Sequence, residues 1–455
     1  MTYPGLKDLE TELADIPKAN PSLLRAKSRD YYWFSPILKS ELDGKNADLV
    51  LIPETREQLV RIASACARHK VPVTVRGGGT GNYGQAVPVQ GGVVLDMTRF
   101  DRVVHAAPGV GRFEAGARLL EIDRALRDRG WELRFFPSTR RHATIAGFIA
   151  GGAGGIGSCT WGQLADPGAV IAIQVLTVEE NPRFIELRNR DALKVLHAYG
   201  MNGIIIEVEM PLAPCQPWID TIVTFPDLMS ASEFGYALAA AEGIAKKLIS
   251  IHDERIPPMM DQLATHVPTG QAMAIVMVAE PQFEAMAALA GDFGGTVSFR
   301  RTVAETNDAA FGTNAEVTPL YEYTWNHTTL RAMRVDRDFT YLQVRYPAHE
   351  ELRIIKNLKD QYPDELVLHL EFQRRFGRVF VSSLPLVRYR DPTRLQALME
   401  EIEAIGGQIS NPHTYRLDGA GWKRTDAPQP EFKRIADPHN LMNPGKMFEA
   451  QTVLA

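Results

Sequence analysis

Cysteine is scarce: the 455 residues hold three, Cys66, Cys159 and Cys215, an odd and widely spaced set. Such a set builds no disulfide framework and fits a reducing compartment, so a cytoplasmic location is expected. An excess of positive charge is also lacking. The formal net charge is -5 with no long basic run, which argues against nucleic acid as the main partner. Long apolar runs are missing too: the longest apolar-looking segment, Ala143 to Gly157, is short of a membrane span and interrupted by glycines. The opening Met1-Thr2-Tyr3-Pro4 is not a basic stretch leading into an apolar run, so no signal peptide and no membrane span are expected. The eleven histidines form no HxxxH or HExxH pair. His349-Glu350-Glu351-Leu352-Arg353 begins like a zinc motif but ends in arginine, and reads as a helix surface; no metal site is expected.

What the chain does have is clustered glycine. Val73-Thr74-Val75 reads as a strand that runs through Arg76 into Gly77, Gly78, Gly79, Thr80, Gly81, Asn82, Tyr83 and Gly84. A loop so poor in Cβ atoms can turn successive backbone N–H groups onto one anion, and a diphosphate suits it. Gly79 to Gly84 satisfies GxGxxG, but the continuation through Pro88, Gly91 and Gly92 is a poor helix, so a Rossmann unit is not expected. A glycine-rich hairpin turn is the plainer alternative. The second cluster runs from Pro137-Ser138-Thr139 through Thr144, Gly147, Gly151, Gly152, Gly154, Gly155, Gly157 and Ser158. Each glycine costs roughly 0.5 to 1 kcal/mol in a regular element, so something must approach this backbone closely.

The length exceeds the range of about 250 to 300 residues for one core, so at least two domains are expected. Residues 1–44 read as a helical segment ending in the aromatic cluster Tyr31-Tyr32-Trp33-Phe34, expected to pack rather than to line a site. A helix capped by Thr55 with Leu59, Ile62, Ala63 and Cys66 on one face completes a βαβ unit. A helix over Leu119 to Arg129, strands over Val170 to Val178 and Gly203 to Glu209, and a helix over Asp191 to Tyr199 follow. The prolines from Pro211 to Pro217 are expected to break any element there and mark a boundary. Beyond it, strands and helices alternate, including a helix over Ser230 to Lys247, which suggests an antiparallel α+β layer. The expected organisation is an α+β fold with domains over 45–215 and 216–425 and a tail over 426–455.

Three features together resemble one family, the vanillyl-alcohol-oxidase or PCMH-type FAD-linked oxidoreductases. They are Arg76 to Gly84, the Pro137 to Gly157 cluster, and the terminal Asp437-Pro-His-Asn-Leu-Met-Asn443-Pro-Gly-Lys446. The resemblance covers roughly residues 45–215 and 430–448, and has a general likeness to the glycolate-oxidase-subunit layout. It implies a PCMH-type FAD-binding domain with an α+β substrate cap. The loop at Gly77 to Gly81 would surround the pyrophosphate, with Arg76 beside it. Ser138 to Ser158 would run along the ribityl chain and isoalloxazine, Gly203 to Ile205 would lie near the adenine, and Asn443 and Lys446 would sit on the returning tail. Family members with a covalent flavin carry histidine near Thr80, or cysteine near Ser138 or Thr139; neither stands here, so FAD is expected to be held non-covalently. His413 or another cap histidine is left as an attachment point. The metal motif Gly-Asp-Gly-Asn-x-His and the late Glu-His pair of the glycolate- and D-lactate-dehydrogenase-like branch are also missing, which weighs against a metal-assisted 2-hydroxy-acid dehydrogenase.

For catalysis, Tyr323, His327, Arg331 and Arg334 share one face of a helix drawn over Leu320 to Arg334. A solvated charged face is the plain reading. The functional one makes His327 or Tyr323 a proton acceptor and an arginine an anion clamp. His369 and Glu371 alternate on a strand and point to one side, and His413 and Tyr415 stand in a polar loop shortly before the tail. The implied activity is hydride transfer from a hydroxy acid, alcohol or phenolic substrate to flavin N5, then to oxygen or an electron acceptor, with a homodimer as the expected assembly. Two alternatives remain: a non-redox flavoprotein or FAD-holding subunit of a larger complex, and a nucleotide-binding protein without flavin.

Overall fold

The computed structural model describes residues 3–152, 154–312, 317–418 and 428–447, so the ends of the expected cap and tail spans at 419–427 and 448–455 lie outside it. Strands Leu49–Leu51, Val93–Asp96 and Val73–Arg76 pair in parallel, with Val93–Asp96 in the centre. The helix Arg56–His69 joins the first to the last. The Thr55 side chain caps it by accepting from the Gln58 N–H, and Leu59, Ile62, Ala63 and Cys66 are buried along one stripe. No helix follows the glycine loop after Arg76, in keeping with its proline and paired glycines.

A second sheet is antiparallel: Val103–Ala107, Val110–Glu114, Ile204–Pro214, Ala172–Leu176 and Phe184–Arg188, with Trp131–Leu133 on the far end of Ile204–Pro214. That long strand runs through Pro211 and Pro214, where a break was expected. Its pairing with Ala172–Leu176 stops at Glu209, so the prolines pair on one side only and their missing N–H interrupts no central ladder. The helix expected over Asp191 to Tyr199 is a short 3-10 turn, Asn189–Lys194. His197 and Tyr199 beyond it take left-handed backbone, with φ of 54° and 51°.

The cap is an eight-stranded antiparallel sheet in the order Thr296–Arg300, Trp218–Phe225, Ala272–Ala279, Lys246–His252, His369–Arg375, Arg378–Ser383, Val344–Arg345 and Gln408–Ile409. The strand Lys246–His252 replaces the end of an expected helix, because the helix Leu228–Ala240 stops before the Glu242-Gly243 turn. Alternation along Ala272–Ala279 serves two cores. Ala272, Ala274, Val276 and Val278 pack under the cap helices Leu228–Ala240 and Phe283–Asp292. Met273, Ile275, Met277 and Ala279 pack into the core of the glycine-loop body. Residues buried on both faces read as one unbroken apolar run.

The tail returns as expected. The helix Pro428–Ala436 leads into a segment that docks beside Val73–Arg76: the Val73 N–H donates to Leu441 O, and the Asn443 N–H donates to Val73 O, each at 2.8 Å.

Candidate active site

Both glycine clusters and the cap meet at one cavity of about 340 Å³. Its walls include Gly77 to Gly81, Ser138, Thr139, Thr144, Gly147, Gly151, Gly152, Gly154, Gly155, Gly203 and Ile205. The glycines have two different jobs. At Gly78 a Cβ would lie 2.0 Å from the backbone oxygen of His142, and at Gly77 one would lie 2.1 Å from the Thr144 hydroxyl. Glycine there lets the two loops touch. At Gly147 and Gly151 a Cβ would meet only the Thr144 hydroxyl at 3.0 Å or the Gln85 amide at 3.2 Å, so its other surroundings are the cavity itself. Thr144 caps the helix Ile145–Gly151 by accepting from the Gly147 N–H at 3.3 Å. A flat group suits such a cradle, since its glycine-lined side puts few side chains in the way.

The cap supplies the opposing chemistry: Glu322, Trp325, Asn326, His327, Gln343, Arg345 and Gln373 line the same cavity. Among the described residues, Trp325 Nε1 and Asn326 Oδ1 are buried without a hydrogen-bond partner, which leaves both able to bond a ligand. Burial, then Arg331, pulls the His327 imidazole down to about 4, so it is neutral near pH 7. Burial, then Arg375, pulls Arg345 down to about 9, which leaves it a cation. Arg345 stacks on Phe380 with its guanidinium 5.0 Å from the ring. Arg141 donates to Glu322 at 3.2 Å. Tyr83 receives a hydrogen bond from Gln343, and burial raises its phenol to about 12.

Several expected site residues stand elsewhere. Arg76 is behind the loop, not in the cavity wall: its guanidinium fills the space where a Gly79 Cβ would go and donates to Arg29 O. Ser158 donates to Gly155 O at 2.6 Å and fastens the loop from below. Asn443 donates to Gln85 O at 2.8 Å and to Tyr199 O at 2.7 Å, and Lys446 donates to Gly84 O. Both tail residues therefore hold wall segments and do not form the wall. Lys446 is buried near Asp30; burial lowers its ammonium and raises the Asp30 carboxyl, while the two opposite charges counteract those shifts.

Among the catalytic candidates, His327 alone lines the cavity. The expected Leu320 to Arg334 helix is broken: a 3-10 turn Leu320–Tyr323 is followed by the helix Asn326–Val335, with Trp325 between them at φ 54° and ψ -140°. Such backbone in a bulky residue costs about 1 to 3 kcal/mol and persists only where its surroundings fix it. The break turns Tyr323 away to donate to Gln262 at 2.7 Å, with Arg331 stacked 4.4 Å from its ring. His413 is structural: its two ring nitrogens lie 2.7 Å from Ser35 Oγ and 2.9 Å from Tyr341 O, deep in the protein, which also removes it as a flavin attachment point. Tyr415 packs beside Lys446 outside the cavity. His369 and Glu371 do share a strand face, 2.8 Å apart, but are fully buried beneath the wall.

Residues the sequence did not single out complete the site. Tyr31 and Phe34 line the cavity although the aromatic cluster was expected only to pack, and Asp30 joins them. His142, His197, Tyr199, Arg141 and Arg345 also line it. The left-handed turns at His197 and Tyr199 carry no local sequence signal; His142 and Arg141 sit next to the second glycine cluster and could have been found by that proximity. Among the described residues, no three His, Cys, Asp or Glu side chains converge as metal ligands, and no helix is long and apolar enough to cross a membrane.

The glycine-loop body and its antiparallel cap enclose this cradle between them, and residues 47–178 match the family model described as FAD binding domain, which makes this a flavoprotein fold. FAD is thus the cofactor of this cavity, held non-covalently. The chain is 30% identical over 220 residues to the glycolate oxidase subunit GlcD of Escherichia coli (strain K12), covering 46% of this chain and 44% of that protein. It therefore spans under half the length of that relative. It is 23% identical over 439 residues to the glycolate oxidase subunit GlcD of Bacillus subtilis (strain 168), covering 88% of this chain and 89% of that one. A solved structure of alkyldihydroxyacetonephosphate synthase superposes over 98% of this chain and 85% of its own with a TM-score of 0.71 at 17% identity, a likeness of fold. Residues 47–178 thus carry a FAD binding domain, and the chain is similar to the PCMH-type FAD-linked oxidoreductases.

Proposed function

We propose that the chain is a FAD-dependent oxidoreductase that removes hydride from a small hydroxy acid and passes the electrons to oxygen or a partner acceptor. The observation that carries the reading is the pairing, in one cavity with the glycine cradle, of a neutral, half-buried imidazole at His327 and a buried cation at Arg345. When bound, FAD supplies a hydride acceptor at N5. Arg345 would hold the substrate carboxylate by charge-assisted hydrogen bonds, and neutral His327 would take the hydroxyl proton. The cradle would hold the dinucleotide through Gly77 to Gly81, Ser138, Thr139 and the Thr144 to Gly155 segment. Relatives named glycolate oxidase subunit and D-lactate dehydrogenase, both named for 2-hydroxy acids, support the substrate class.

We assign FAD binding to residues 45–215, aided by Asp30, Tyr31 and Phe34, and substrate binding to 216–425, in a cytoplasmic homodimer. Anaerobic mixing of the yellow protein with glycolate, D-lactate, sugars, alditols and phenolic alcohols tests the reading. Loss of the flavin's long-wavelength band with a hydroxy acid supports it; bleaching by phenolic alcohols alone would replace the substrate class. A flavin that no candidate reduces would favour the second reading, a non-redox flavoprotein or FAD-holding subunit. That reading draws support from the word subunit in the name of the GlcD relatives.

A further inference from the structure

The cap sheet carries a block of polar residues in a place where apolar ones would pack better. Across two neighbouring antiparallel strands, His252 pairs with His369 and Ser250 pairs with Glu371. Cross-strand partners share a sheet face, as do residues two apart, so the four side chains form a square on one side of the sheet. All are buried. Buried polar groups cost stability unless bonded; apart from Nδ1 of the two imidazoles, these are bonded to one another or to a single corner of the chain above them.

Glu371 Oε1 accepts from Ser250 Oγ at 2.9 Å and from the Trp325 backbone N–H at 2.7 Å, and lies 2.8 Å from His369 Nε2. The Thr328 hydroxyl donates to Tyr323 O at 2.8 Å and lies 3.4 Å from His252 Nε2. The imidazoles of His252 and His369 stack at 4.6 Å, so their nitrogens lie side by side and do not converge on a shared ion. Trp325 is the residue with φ 54°, and its N–H is the one Glu371 receives. Trp325, Asn326 and His327 then enter the cavity wall in succession. Nothing in the local sequence favours positive φ at a tryptophan; the carboxyl group beneath it supplies the reason.

We propose that Glu371 is a positioning residue whose carboxyl oxygen fixes the Trp325 corner and thereby aims Asn326 and His327 into the flavin cavity. The role rests on the reading of that cavity as a FAD and substrate site. It assigns no proton transfer to Glu371 or His369. Its consequence is that an acceptor at position 371, and not a charge, is what the site needs.

The test uses the FAD-loaded full chain labelled with 15N-histidine, with the His327 signal identified by its loss in His327→Asn. At about pH 6, wild-type His327 reads as neutral because its pocket excludes water. Glu371→Gln, which keeps an acceptor, is expected to match wild type. Glu371→Leu is expected to keep one FAD per chain while its His327 signal moves toward that of a solvated, half-protonated imidazole. Thr328→Val loosens the same corner more gently, is expected to move the signal in the same direction, and decides the matter alone if Glu371→Leu cannot be recovered folded. A neutral, unmoved His327 in both Glu371→Leu and Thr328→Val overturns the proposal. So does a Glu371→Gln protein that behaves like Glu371→Leu. Failure of wild type itself to bind FAD would instead refute the reading of the cavity.

Discussion

Replacing Gly78 by alanine separates two explanations for a glycine at this position, room for the cofactor and room for a neighbouring loop. The added Cβ would stand 2.0 Å from the His142 carbonyl oxygen and 2.9 Å from its carbon, whereas ordinary contact begins near 3.4 Å. The obstacle is backbone and cannot rotate away. Gly78 has no positive φ, so the penalty is purely one of space. Overpacking of this kind costs about 1 to 3 kcal/mol. The strain is present without cofactor, so the unfolding free energy of the apoprotein should fall by that amount, and its urea midpoint with it. Any part of it relieved by the loops moving apart returns as weaker binding, because both loops are needed on one ligand; a loss on the order of 5- to 150-fold in FAD affinity corresponds to the same energy. Urea unfolding of the apoprotein and FAD titration by flavin fluorescence measure the two quantities. Gly147→Ala gives the contrast: it sits in the helix Ile145–Gly151 and its Cβ would crowd only the Thr144 hydroxyl at 3.0 Å, a side chain that can shift, so the apoprotein should lose less than with Gly78→Ala while FAD affinity falls. An apoprotein with Gly78→Ala that unfolds like wild type would refute the loop-contact reasoning.

Asn443→Ala removes the hydrogen bonds donated to Gln85 O and Tyr199 O, leaving both carbonyls without that donor, and the weaker one that Asn443 Oδ1 accepts from Thr74. A stability loss of about 2 to 4 kcal/mol is expected, with weaker FAD binding, read by thermal melting with and without FAD. Arg345→Gln should raise KM for a hydroxy acid far more than it changes FAD content, by on the order of tenfold or more; an unchanged KM would remove the carboxylate role. Because burial holds His327 near 4, the acid limb of flavin reduction should lie well below the ordinary histidine range, and His327→Asn should abolish that limb. Burial likewise holds His413 near 4 and His369 near 3. Between roughly pH 6.5 and those values these histidines bind more protons in the unfolded chain than in the folded one, so their contribution to stability falls as pH falls through that window. Glu371 and Asp30, raised to about 8 and about 6 by burial, act in the opposite sense. A contribution of these histidines to the urea midpoint that stays flat from about pH 6.5 to pH 4.5 would contradict this sign.

The glycine loops could be located from the sequence because the constraint acts on the backbone itself. Where side chains must be missing for two loops to touch, the residues record it directly, and Gly77 to Gly81 and Gly147 to Gly155 stand in the cavity wall. The cap residues were harder. The spacing of Tyr323, His327 and Arg331 fits one continuous helix, and what breaks it is a hydrogen bond from Trp325 to Glu371, 46 residues further along. Periodicity carries no trace of such a contact. The alternation of His369 and Glu371 did show that they share a face, but which side of the sheet meets the cavity depends on how two units pack. The prolines at Pro211 and Pro214 misled for a related reason: a residue that cannot donate is harmless where no second neighbour needs the bond.

The double allegiance of the strand Ala272–Ala279 also limits how substrate can enter. If the cap swung away as a rigid lid, Met273, Ile275 and Met277 would be stripped of their cover and left facing water. Wetting three large side chains on every turnover opposes such a motion by several kcal/mol. The roof of this chamber is bolted down, and traffic has to pass through a doorway framed by its rim.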